Sequence, residues 1–559
     1  MNPFAAWRPA ELPDSWAPTH GWATARVLAL IAILVIAAVA VIQTSWAMRR
    51  LSASARRLGH RILIGVLAVS ALLAVATYVD FGVFRYGTYL NEWDFYHYYV
   101  GTKYAPELGY SNLYGATLVA DGETGLRYRH PRGEIRDLAT AEIRDVRAVA
   151  AEAGRYKQRF SESRWREFVA DIAWFKMQLP EKRWSLVLAD HGYNGTPAWS
   201  FVVGGLLTRH LSVREPLGRW FMLLLDPLLL LAAAVAVFWA FGARAALLLV
   251  VFLGTHYLLS WGHLKGALLR TDFAMCSMLA VCFVKKGRYK LAGVFLGWAV
   301  LSRVFPAFLL VGPVVLLLAE LLRTRRLNRP LLGLLLASAG TIVVVALTSC
   351  VYFGGTAIWH EWSSKIALHY AGGSDWDVGY RTIAEARFVE GVPVRAADLV
   401  AEAGRQSGRF ARSFEFAVLA LLVVPAIAFI RALEHHEAVA FGFVFVFLLS
   451  LAAYYYYLIL CVPLLFFASD LGKPQRALGA AFMFLTGLAG YGLFSGWQPL
   501  RDSWVPLRGW HQTFPTYYYL SCFIAISAAQ MIVIAATKAR ALERAEPKVP
   551  SLRGSRVDG

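Results

Sequence analysis

The sequence predicts an all-α polytopic membrane protein, and three observations support this fold class. The chain has 559 residues, of which 58% are apolar and only 17% are charged, and its mean hydropathy is +0.48. Soluble domains carry about 25% charged residues, so an ordinary soluble globule is excluded. Apolar runs recur from end to end, and most exceed the roughly 18 residues needed to cross a bilayer. We therefore expect about eleven to thirteen transmembrane helices.

Long hydrophilic stretches separate the apolar runs into groups. Two spans precede a long first loop, a central bundle precedes a second loop, and a C-terminal bundle precedes a basic tail. In chain order, the sequence predicts a leader at 1–23, two transmembrane helices at 24–80, a first loop at 81–198, a central bundle at 199–353, a second loop at 354–413, a C-terminal bundle at 414–537 and a tail at 538–559.

Two parts of the central bundle depart from simple spans. The run at 199–212 is short for a bilayer, and we expect an interfacial helix there. The stretch at 290–322 is interrupted by Arg303 and Pro306. Because proline removes a helix hydrogen bond, this stretch predicts two short helices that meet near the outer surface.

Basic connectors set the predicted orientation. Lys and Arg cluster at 49–61, at 285–290, at 323–329 and in the tail after 538. Cytoplasmic loops are enriched in these residues, so both large loops are expected on the extracytoplasmic side of a bacterial-type inner (plasma) membrane. The formal net charge of +19 then follows from membrane topology, and no nucleic-acid partner is expected.

The first loop is the most informative hydrophilic segment. Residues 81–115 are dense in aromatic side chains and carry Glu92 and Asp94. From about 133 to 182 the sequence becomes rich in charge, and apolar residues such as Ile135 and Ile143 recur at mixed three- and four-residue spacing, which predicts a helical insertion. The simplest interpretation of this insertion is a solvated surface that rests on the membrane and shapes or covers a cleft.

Asp94 is the main candidate for chemistry. Ionisable groups near membrane depth are costly, and those that occur there are functional hypotheses by default. As a general base, Asp94 would accept a proton from a hydroxyl group. The alternative is structural, with Asp94 as the N-cap of a helix over 95–104. Asp80 lies at the end of a span and ranks second, because a role as a cap or an end-group that extends to water explains it better than chemistry does.

Several basic residues near the outer helix ends predict an anion site. Guanidinium and ammonium groups match the geometry and charge of phosphate oxygens. The alternative is a set of interfacial cations that extend their charged ends to water. The predicted phosphate ligands are His263, Lys265, Arg270 and Arg303.

The remaining candidates concern a cavity and a metal. The D-x-D spacing at 375–377 is compatible with a divalent ion but is common in loops, and the five cysteines show no metal-ligand spacing. We therefore expect neither a metal nor another cofactor. The expected lining of a substrate cavity is Glu92, Tyr98, Tyr99, Tyr456 and Tyr457.

Three segments resemble a known family. They are W-D-F-Y-H-Y-Y at 93–99 with L-Y at 113–114, G-R-Y-K-L-A-G-V-F-L-G-W-A-V-L-S-R-V-F-P-A at 287–307, and Y-Y-Y-L-I-L-C-V-P at 455–463. In this order they resemble the polyprenyl-phosphate-sugar-dependent glycosyltransferases of GT-C architecture. The resemblance is strongest to family 87, whose known members include alpha-mannosyltransferases.

The resemblance implies a GT-C-like helix bundle, a donor sugar on a polyprenyl phosphate and chemistry on the outer side of the membrane. It implies a catalytic aspartate in the first outer loop, which corresponds to Asp94. It also implies a basic residue ahead of a proline in a later pair of spans, which corresponds to Arg303 and Pro306. The chain departs from the family pattern in an extra N-terminal span and a longer insertion at about 120–185.

The residue types are consistent with glycosyl transfer on chemical grounds as well. One carboxylate suffices to take the acceptor proton when the leaving group is a phosphate, and fixed cations stabilise the charge on that phosphate. No second carboxylate has a clear claim to be a nucleophile, so we expect an inverting transfer. The resemblance implies a mannose-like hexose as the sugar, and the expected acceptor is a membrane lipid or glycan. The alternative is a transporter or flippase for a lipid-linked sugar, although transporters often have repeated halves and the halves here look dissimilar. A structural membrane protein without an active site is a third interpretation.

The predicted orientation can be tested by cysteine labelling in whole cells or spheroplasts. A cysteine placed near Gly122 should react with an impermeant maleimide, because the first loop faces outward. A cysteine near Gly287 should not react, and the wild-type protein reports the background from its native cysteines. Labelling in the reverse pattern would overturn the orientation.

Overall fold

The protein folds almost entirely as helices, as the sequence predicts. About 76% of the structure, a computed structural model, is helical. The strands form only two-stranded sheets among the described residues. The described residues are 30–31, 33–38, 50, 52–79, 88–260, 264–372, 374, 376–389, 391–396, 409–503 and 514–545.

The helices and strands are numbered in chain order. The α-helices are α1 (Ala53–Tyr78), α2 (Glu92–Phe95), α3 (Gly101–Lys103), α4 (Ala105–Leu108), α5 (Leu113–Glu123), α6 (Val146–Ala151), α7 (Ala153–Lys157), α8 (Glu162–Gln178), α9 (Glu181–Val187), α10 (Pro197–Trp199), α11 (Pro216–Phe241), α12 (Ala243–Thr255), α13 (Tyr257–Ser260), α14 (Asp272–Lys285), α15 (Tyr289–Ser302), α16 (Val311–Thr324), α17 (Arg329–Tyr352), α18 (Ala357–Gly372), α19 (Tyr380–Ala384), α20 (Arg409–Phe429), α21 (His435–Phe441), α22 (Phe443–Leu449), α23 (Cys461–Ala468), α24 (Pro474–Ser503) and α25 (Phe514–Ala545). The π-helices are Tyr96–Val100 and Ser200–Thr208, and the 3₁₀-helices are Phe305–Leu310, Ile430–Ala432 and Tyr454–Leu460. The strands are β1 (Glu134–Arg136), β2 (Ile143–Asp145), β3 (Asp377–Val378), β4 (Ala386–Val389), β5 (Val392–Arg395) and β6 (Ala452–Ala453).

Long apolar helices make the chain a multi-pass membrane protein. Within the described residues, six helices are long and apolar enough to cross a bilayer, namely Ala53–Tyr78, Pro216–Phe241, Phe305–Thr324, Arg329–Tyr352, Pro474–Leu493 and Phe514–Arg544. Shorter apolar helices lie at Pro197–Thr208, Ala243–Thr255, Tyr289–Ser302, Leu419–Ala432, His435–Leu449 and Tyr454–Ala468. The total of about eleven to thirteen spans stays a prediction.

Helix α17 illustrates how these spans are specified. Asn328 caps its first turn by accepting a hydrogen bond from the backbone N–H of Leu331 at 3.0 Å, and a proline occupies its first turn, where no intrahelical donor is needed. Its most apolar window is only 17% buried within the protein, and Leu347 and Val351 are 62% and 82% exposed. An apolar helix that leaves such side chains uncovered is suited to lipid contact.

Two separate hydrophobic cores hold the membrane half and the first loop. The membrane core is built around α14, nearly all of whose residues are buried. The first loop has its own aromatic core, in which Tyr96 lies edge-on against Phe175 of α8 and Trp184 of α9, with ring centroids 5.7 and 6.0 Å apart. The insertion therefore packs on the aromatic segment that carries Asp94.

The start of the insertion is a β-hairpin, so the prediction of helix from about 133 was wrong there. Strands β1 and β2 pair antiparallel, with Ile135 opposite Arg144. The connecting turn is stabilised by Asp137, whose Oδ1 accepts from the N–H of Ala139 at 2.8 Å, and Ala141 adopts a φ of +63°. This side-chain turn competes with helix formation, and helix begins only at α6.

The predicted break between two short helices near Arg303 is confirmed. Helix α15 ends at Ser302, and a 3₁₀-helix containing Pro306 begins at Phe305. Arg303 itself is extended, with φ of −145° and ψ of 129°. The break turns the arginine side chain away from the helix surface and into the interior, where it is 6% exposed.

The loop before α14 lies against the segment that precedes α2. The N–H of Asn91 donates to the carbonyl of Gly266 at 2.9 Å. Gly266 has a φ of +69°, and a Cβ atom there would lie 1.6 Å from the carbonyl oxygen of Tyr89. Only glycine fits this contact, which joins the first loop to the loop that carries Arg270.

We expect Gly266→Ala to destabilise the protein more than Gly287→Ala. Gly287 has a similar φ of +72°, but open space surrounds its Cβ position, so both variants incur about 1–2 kcal/mol for a left-handed residue. The overlap at Gly266 should add about 1–3 kcal/mol. Thermal unfolding in detergent measures the difference, and equal losses in Tm would contradict the close contact.

Candidate functional site

Asp94 lies in the first turn of α2 and is not its cap. Asn91 is the N-cap, and its Oδ1 accepts from the N–H of Asp94 at 3.3 Å. The alternative role of Asp94 as a helix cap is therefore wrong, because the neighbouring asparagine performs it. The α2 helix continues directly into a π-helical turn at Tyr96–Val100, a rare geometry that is frequent at functional sites.

The Asp94 carboxylate faces the guanidinium of Arg270. Its Oδ2 lies 3.5 Å from Nε of Arg270, and the two residues are 9% and 3% exposed. The pair lacks hydrogen-bond geometry: within the described residues, Asp94 Oδ2, Arg270 Nε, Arg270 Nη1 and Arg303 Nε are buried without a hydrogen-bond partner. Such atoms carry an uncompensated desolvation penalty, which a polar ligand between them would relieve.

Asp226, on the membrane helix α11, fixes the backbone at Arg270. Its Oδ2 accepts from the N–H of Arg270 at 2.9 Å, and its Oδ1 accepts from the N–H and Oγ1 of Thr271 at 2.9 and 2.6 Å. A carboxylate that is 1% exposed is thus fully engaged with one loop. The loop position, and with it the Arg270 side chain, depends on this carboxylate.

Asp272 performs a similar role beside Arg303. Its Oδ1 accepts from Ser302 Oγ at 2.7 Å, and its Oδ2 accepts from the indole N–H groups of Trp199 and Trp298 at 3.0 and 3.1 Å. Arg303 donates from Nη1 to the carbonyl of Ser302 at 2.6 Å. The end of α15 is therefore held to the start of α14 at the point where Arg303 leaves the helix.

Tyr98 and Tyr456 form the aromatic wall around the two arginines. The Arg270 guanidinium lies 3.9 Å from the ring centroid of Tyr98 and 5.8 Å from that of Tyr456. The corresponding distances for Arg303 are 5.6 and 5.5 Å, and Arg303 Nη2 also donates to the Tyr98 hydroxyl at 3.3 Å. Ring faces stabilise buried guanidiniums while leaving their N–H edges available.

Burial and the neighbouring positive charges shift the pKa of Asp94 in opposite directions. Burial raises the pKa of Asp94 to about 6, and the guanidiniums of Arg270 and Arg303 oppose this rise. The carboxylate is therefore ionised above about pH 6 and can still accept a proton near neutrality. A base with a pKa close to the working pH suits proton transfer from a hydroxyl.

The other described residues that the sequence predicts for the site make their contacts away from the Asp94–Arg270 pair. Glu92 pairs with Arg183 at 3.3 Å, and Lys265 lies 4.8 Å from the ring of Tyr78. Tyr99 accepts from Lys103 Nζ at 2.8 Å and belongs to a buried network around Asp171, while Tyr457 lies edge-on against Phe443 and close to Gly379. His263, Asp80 and Asp375 lie outside the described residues.

His97 and Asp190 extend the site, although sequence reasoning did not select them. Trp93 Nε1 donates to Asp190 Oδ2 at 2.9 Å, and His97 Nε2 lies 4.0 Å from the same oxygen. Asp190 is 38% exposed at its side chain and contributes to raising the pKa of Asp94. This partly exposed carboxylate marks the side of the site that is open to water. The sequence contained one hint of this cluster: Trp93 and His97 are four residues apart, so on a helix their side chains lie on the same face.

An apolar groove is lined by chain neighbours of Arg303, although the Arg303 side chain does not line it. It encloses about 400 Å³, and Leu301 and Val304, on either side of Arg303, line it together with Leu347 of α17. Trp359 and Trp362 of α18 line it as well. Val304 is 56% exposed and Leu347 62%, so the groove opens on the apolar surface of the spans.

No family model, curated protein or solved structure matches this chain. The family resemblance of its motifs therefore stays a prediction, and the chemistry rests on the arrangement of the residues. Within the described part of the chain, no three His, Cys, Asp or Glu side chains are grouped so that they could hold a metal ion. The site consists of one carboxylate, two guanidiniums and an aromatic wall beside an apolar groove.

Proposed function

We propose that the protein is an integral membrane glycosyltransferase that moves a hexose from a polyprenyl-phosphate donor to a hydroxyl of an envelope lipid or glycan. The observation that carries this proposal is the buried Asp94 carboxylate facing the guanidinium of Arg270, with Arg303 sharing the same aromatic wall. A base, an anion site and an apolar groove in one place match the three parts of such a reaction. The order of the sequence motifs supports a GT-C enzyme related to family 87.

Asp94 is the proposed general base. Its carboxylate takes the proton of the acceptor hydroxyl while the acceptor oxygen bonds to the anomeric carbon of the sugar. The bond from that carbon to the donor phosphate oxygen breaks on the opposite side, so the configuration inverts. The phosphate leaves with the electron pair, and no second carboxylate is required.

Arg270 and Arg303 are the proposed ligands of the donor phosphate. Charge develops on the phosphate oxygens as the sugar departs, and preorganised guanidiniums in a site with little water stabilise that charge strongly. The Nε and Nη1 atoms of Arg270 and the Nε of Arg303 make no hydrogen bond within the described residues, and they supply donors for it. Guanidiniums also match phosphate in geometry.

The apolar groove suits the lipid part of the donor. It begins at Leu301 and Val304, which flank Arg303, and it opens on the lipid-facing surface. The Arg303 side chain points inward and does not line the groove, so the proposal requires the lipid chain to pass from the phosphate site across the backbone at Arg303 before it enters this apolar environment. We place the reaction on the extracytoplasmic side of the plasma membrane, following the predicted orientation of the first loop.

We expect Asp94→Asn to reduce transfer by about 10²–10⁴-fold. Asparagine keeps the size of the side chain but cannot accept the proton, and folding should survive because Asn91 provides the helix cap. In the wild type, turnover should rise with pH through about 6, since the pKa of Asp94 is about 6. The assay follows release of polyprenyl phosphate from a polyprenyl-phosphate sugar when envelope lipids or glycans are added.

Glu92→Gln is the matched control for this variant. It removes a neighbouring carboxylate that pairs with Arg183 and should retain most of the transfer activity. Wild-type turnover in Asp94→Asn would contradict the assignment of Asp94 as the general base. A wild-type protein that moves the lipid-linked sugar across the membrane without releasing polyprenyl phosphate would instead be a flippase.

Arg303→Gln should weaken donor binding about ten- to a hundredfold, because it removes a charge-assisted contact to phosphate. Arg303→Lys keeps the positive charge, so its affinity for the donor should fall less than that of Arg303→Gln. Arg183→Gln is the control, since Arg183 pairs with Glu92 and lies outside the proposed phosphate site. Equilibrium binding of a labelled polyprenyl-phosphate sugar to purified protein measures the three variants, and unchanged affinity in Arg303→Gln would remove Arg303 from the site.

A further inference from the structure

The insertion of the first loop contains a second, polar cleft. It encloses about 270 Å³ between the β1–β2 hairpin, helices α5 to α7 and helix α18 of the second loop. Its polar lining includes Ser111, Asn112, Tyr156 and Glu361 together with several arginines. The cleft is distinct from the site at Asp94, because none of the proposed base and phosphate ligands lines it.

The cleft carries an excess of positive charge. Its arginines are Arg136, Arg144, Arg155 and Arg159, and its acidic residues are Asp137 and Glu361. The Glu361 carboxylate is already occupied, since Oε1 accepts from the N–H of Tyr110 at 3.0 Å and from the hydroxyl of Ser111.

The two arginines of α7 and its C-terminal end are the most open of this set. Arg155 pairs with Glu152 at 3.1 Å and is 56% exposed at its side chain. Arg159 donates to the carbonyl of Glu107 at 3.3 Å and is exposed. Both side chains therefore retain N–H groups for an anion at the cleft.

We propose that this cleft binds an anionic saccharide. A sugar presents many hydroxyl groups close together, and the Ser111 hydroxyl oxygen and the Asn112 side-chain carbonyl that line the cleft can accept hydrogen bonds from them. Arginines match a carboxylate or phosphate on the sugar. Tyr156, which is buried, forms part of the cleft wall and is held against Gly115, where any Cβ atom would overlap the ring.

A chain of aromatic rings connects the cleft to the site at Asp94. Tyr110, next to Ser111 in the cleft wall, stacks on Tyr193 with centroids 5.6 Å apart and an interplanar angle of 8°. Tyr193 lies edge-on against Tyr98 at 5.2 Å, and Lys365 Nζ holds the Tyr193 carbonyl at 2.7 Å. These rings are buried, so they join the walls of the two sites without opening a passage between them, and the binding proposed for the cleft does not depend on the proposed function.

Binding of small probes to the full chain in detergent tests the cleft. Glucuronic acid is titrated against the protein by calorimetry, with glucose as the neutral sugar and acetate as the anion without a sugar. We expect glucuronic acid to bind most tightly and the Arg155→Gln/Arg159→Gln variant to weaken it about tenfold. The matched control is Arg147→Gln/Arg166→Gln, which removes two exposed arginines outside the cleft.

A blocking variant provides a second measure that does not depend on charge. Ala139 is exposed at the cleft, so Ala139→Trp should also abolish binding, whereas Ala150→Trp, on the exposed surface of α6, should not. Absence of glucuronic acid binding, equal binding of acetate, or binding unaffected by the cleft variants would overturn the proposal. Loss of the signal in Arg303→Gln alone would assign the probe to the site at Asp94 and overturn it too. Because no turnover is measured, failure of the proposed function leaves this test intact.

Discussion

The site depends on a carboxylate in a membrane helix. Asp226 of α11 accepts hydrogen bonds from Arg270 and Thr271 and is 1% exposed. A buried carboxylate is costly unless every oxygen is engaged, so the helix and the loop hold each other in one position. Gly266 adds a second junction, because its carbonyl accepts from Asn91. The direction of the Arg270 side chain towards Asp94 follows from these two contacts between the membrane half and the first loop.

The features that could be predicted from the sequence are those that depend on local chemistry. Apolar run length predicts membrane helices because the bilayer leaves few alternatives, and Pro306 predicts the helix break that turns Arg303 inward. The convergence of Asp94, Arg270 and Arg303 could be expected because ionisable residues near apolar runs need partners. Asp226 is likewise an acidic residue within an apolar run, so it too needs a partner. The loop that supplies this partner could not be identified from one sequence.

The sequence did not predict the contacts of residues whose side-chain direction depends on the helix register. Tyr98 and Tyr99 are adjacent, yet Tyr98 contacts Arg270 while Tyr99 joins Lys103 in another network. Neighbouring helical residues point about 100° apart, and the π-helical turn at Tyr96–Val100 shifts that register by a residue that no periodic pattern reveals. The hairpin at 134–145 was not predicted for a related reason. Its apolar spacing resembles that of a helix, and the turn formed by Asp137 determines that the segment folds as strands.

The shared aromatic wall has a consequence for the stability of the whole protein. Arg270 and Arg303 both lie on the faces of Tyr98 and Tyr456. Two like charges are thus held close in a region of low dielectric, where the repulsion that remains beside the Asp94 and Asp272 carboxylates is weakly screened. An anion that binds between them relieves this repulsion only in the folded state. Its binding free energy therefore adds to the free energy of unfolding by mass action. Under the proposed function, the anionic lipid donor dissolved in the surrounding bilayer would therefore be one of the variables that set how stable the folded chain is.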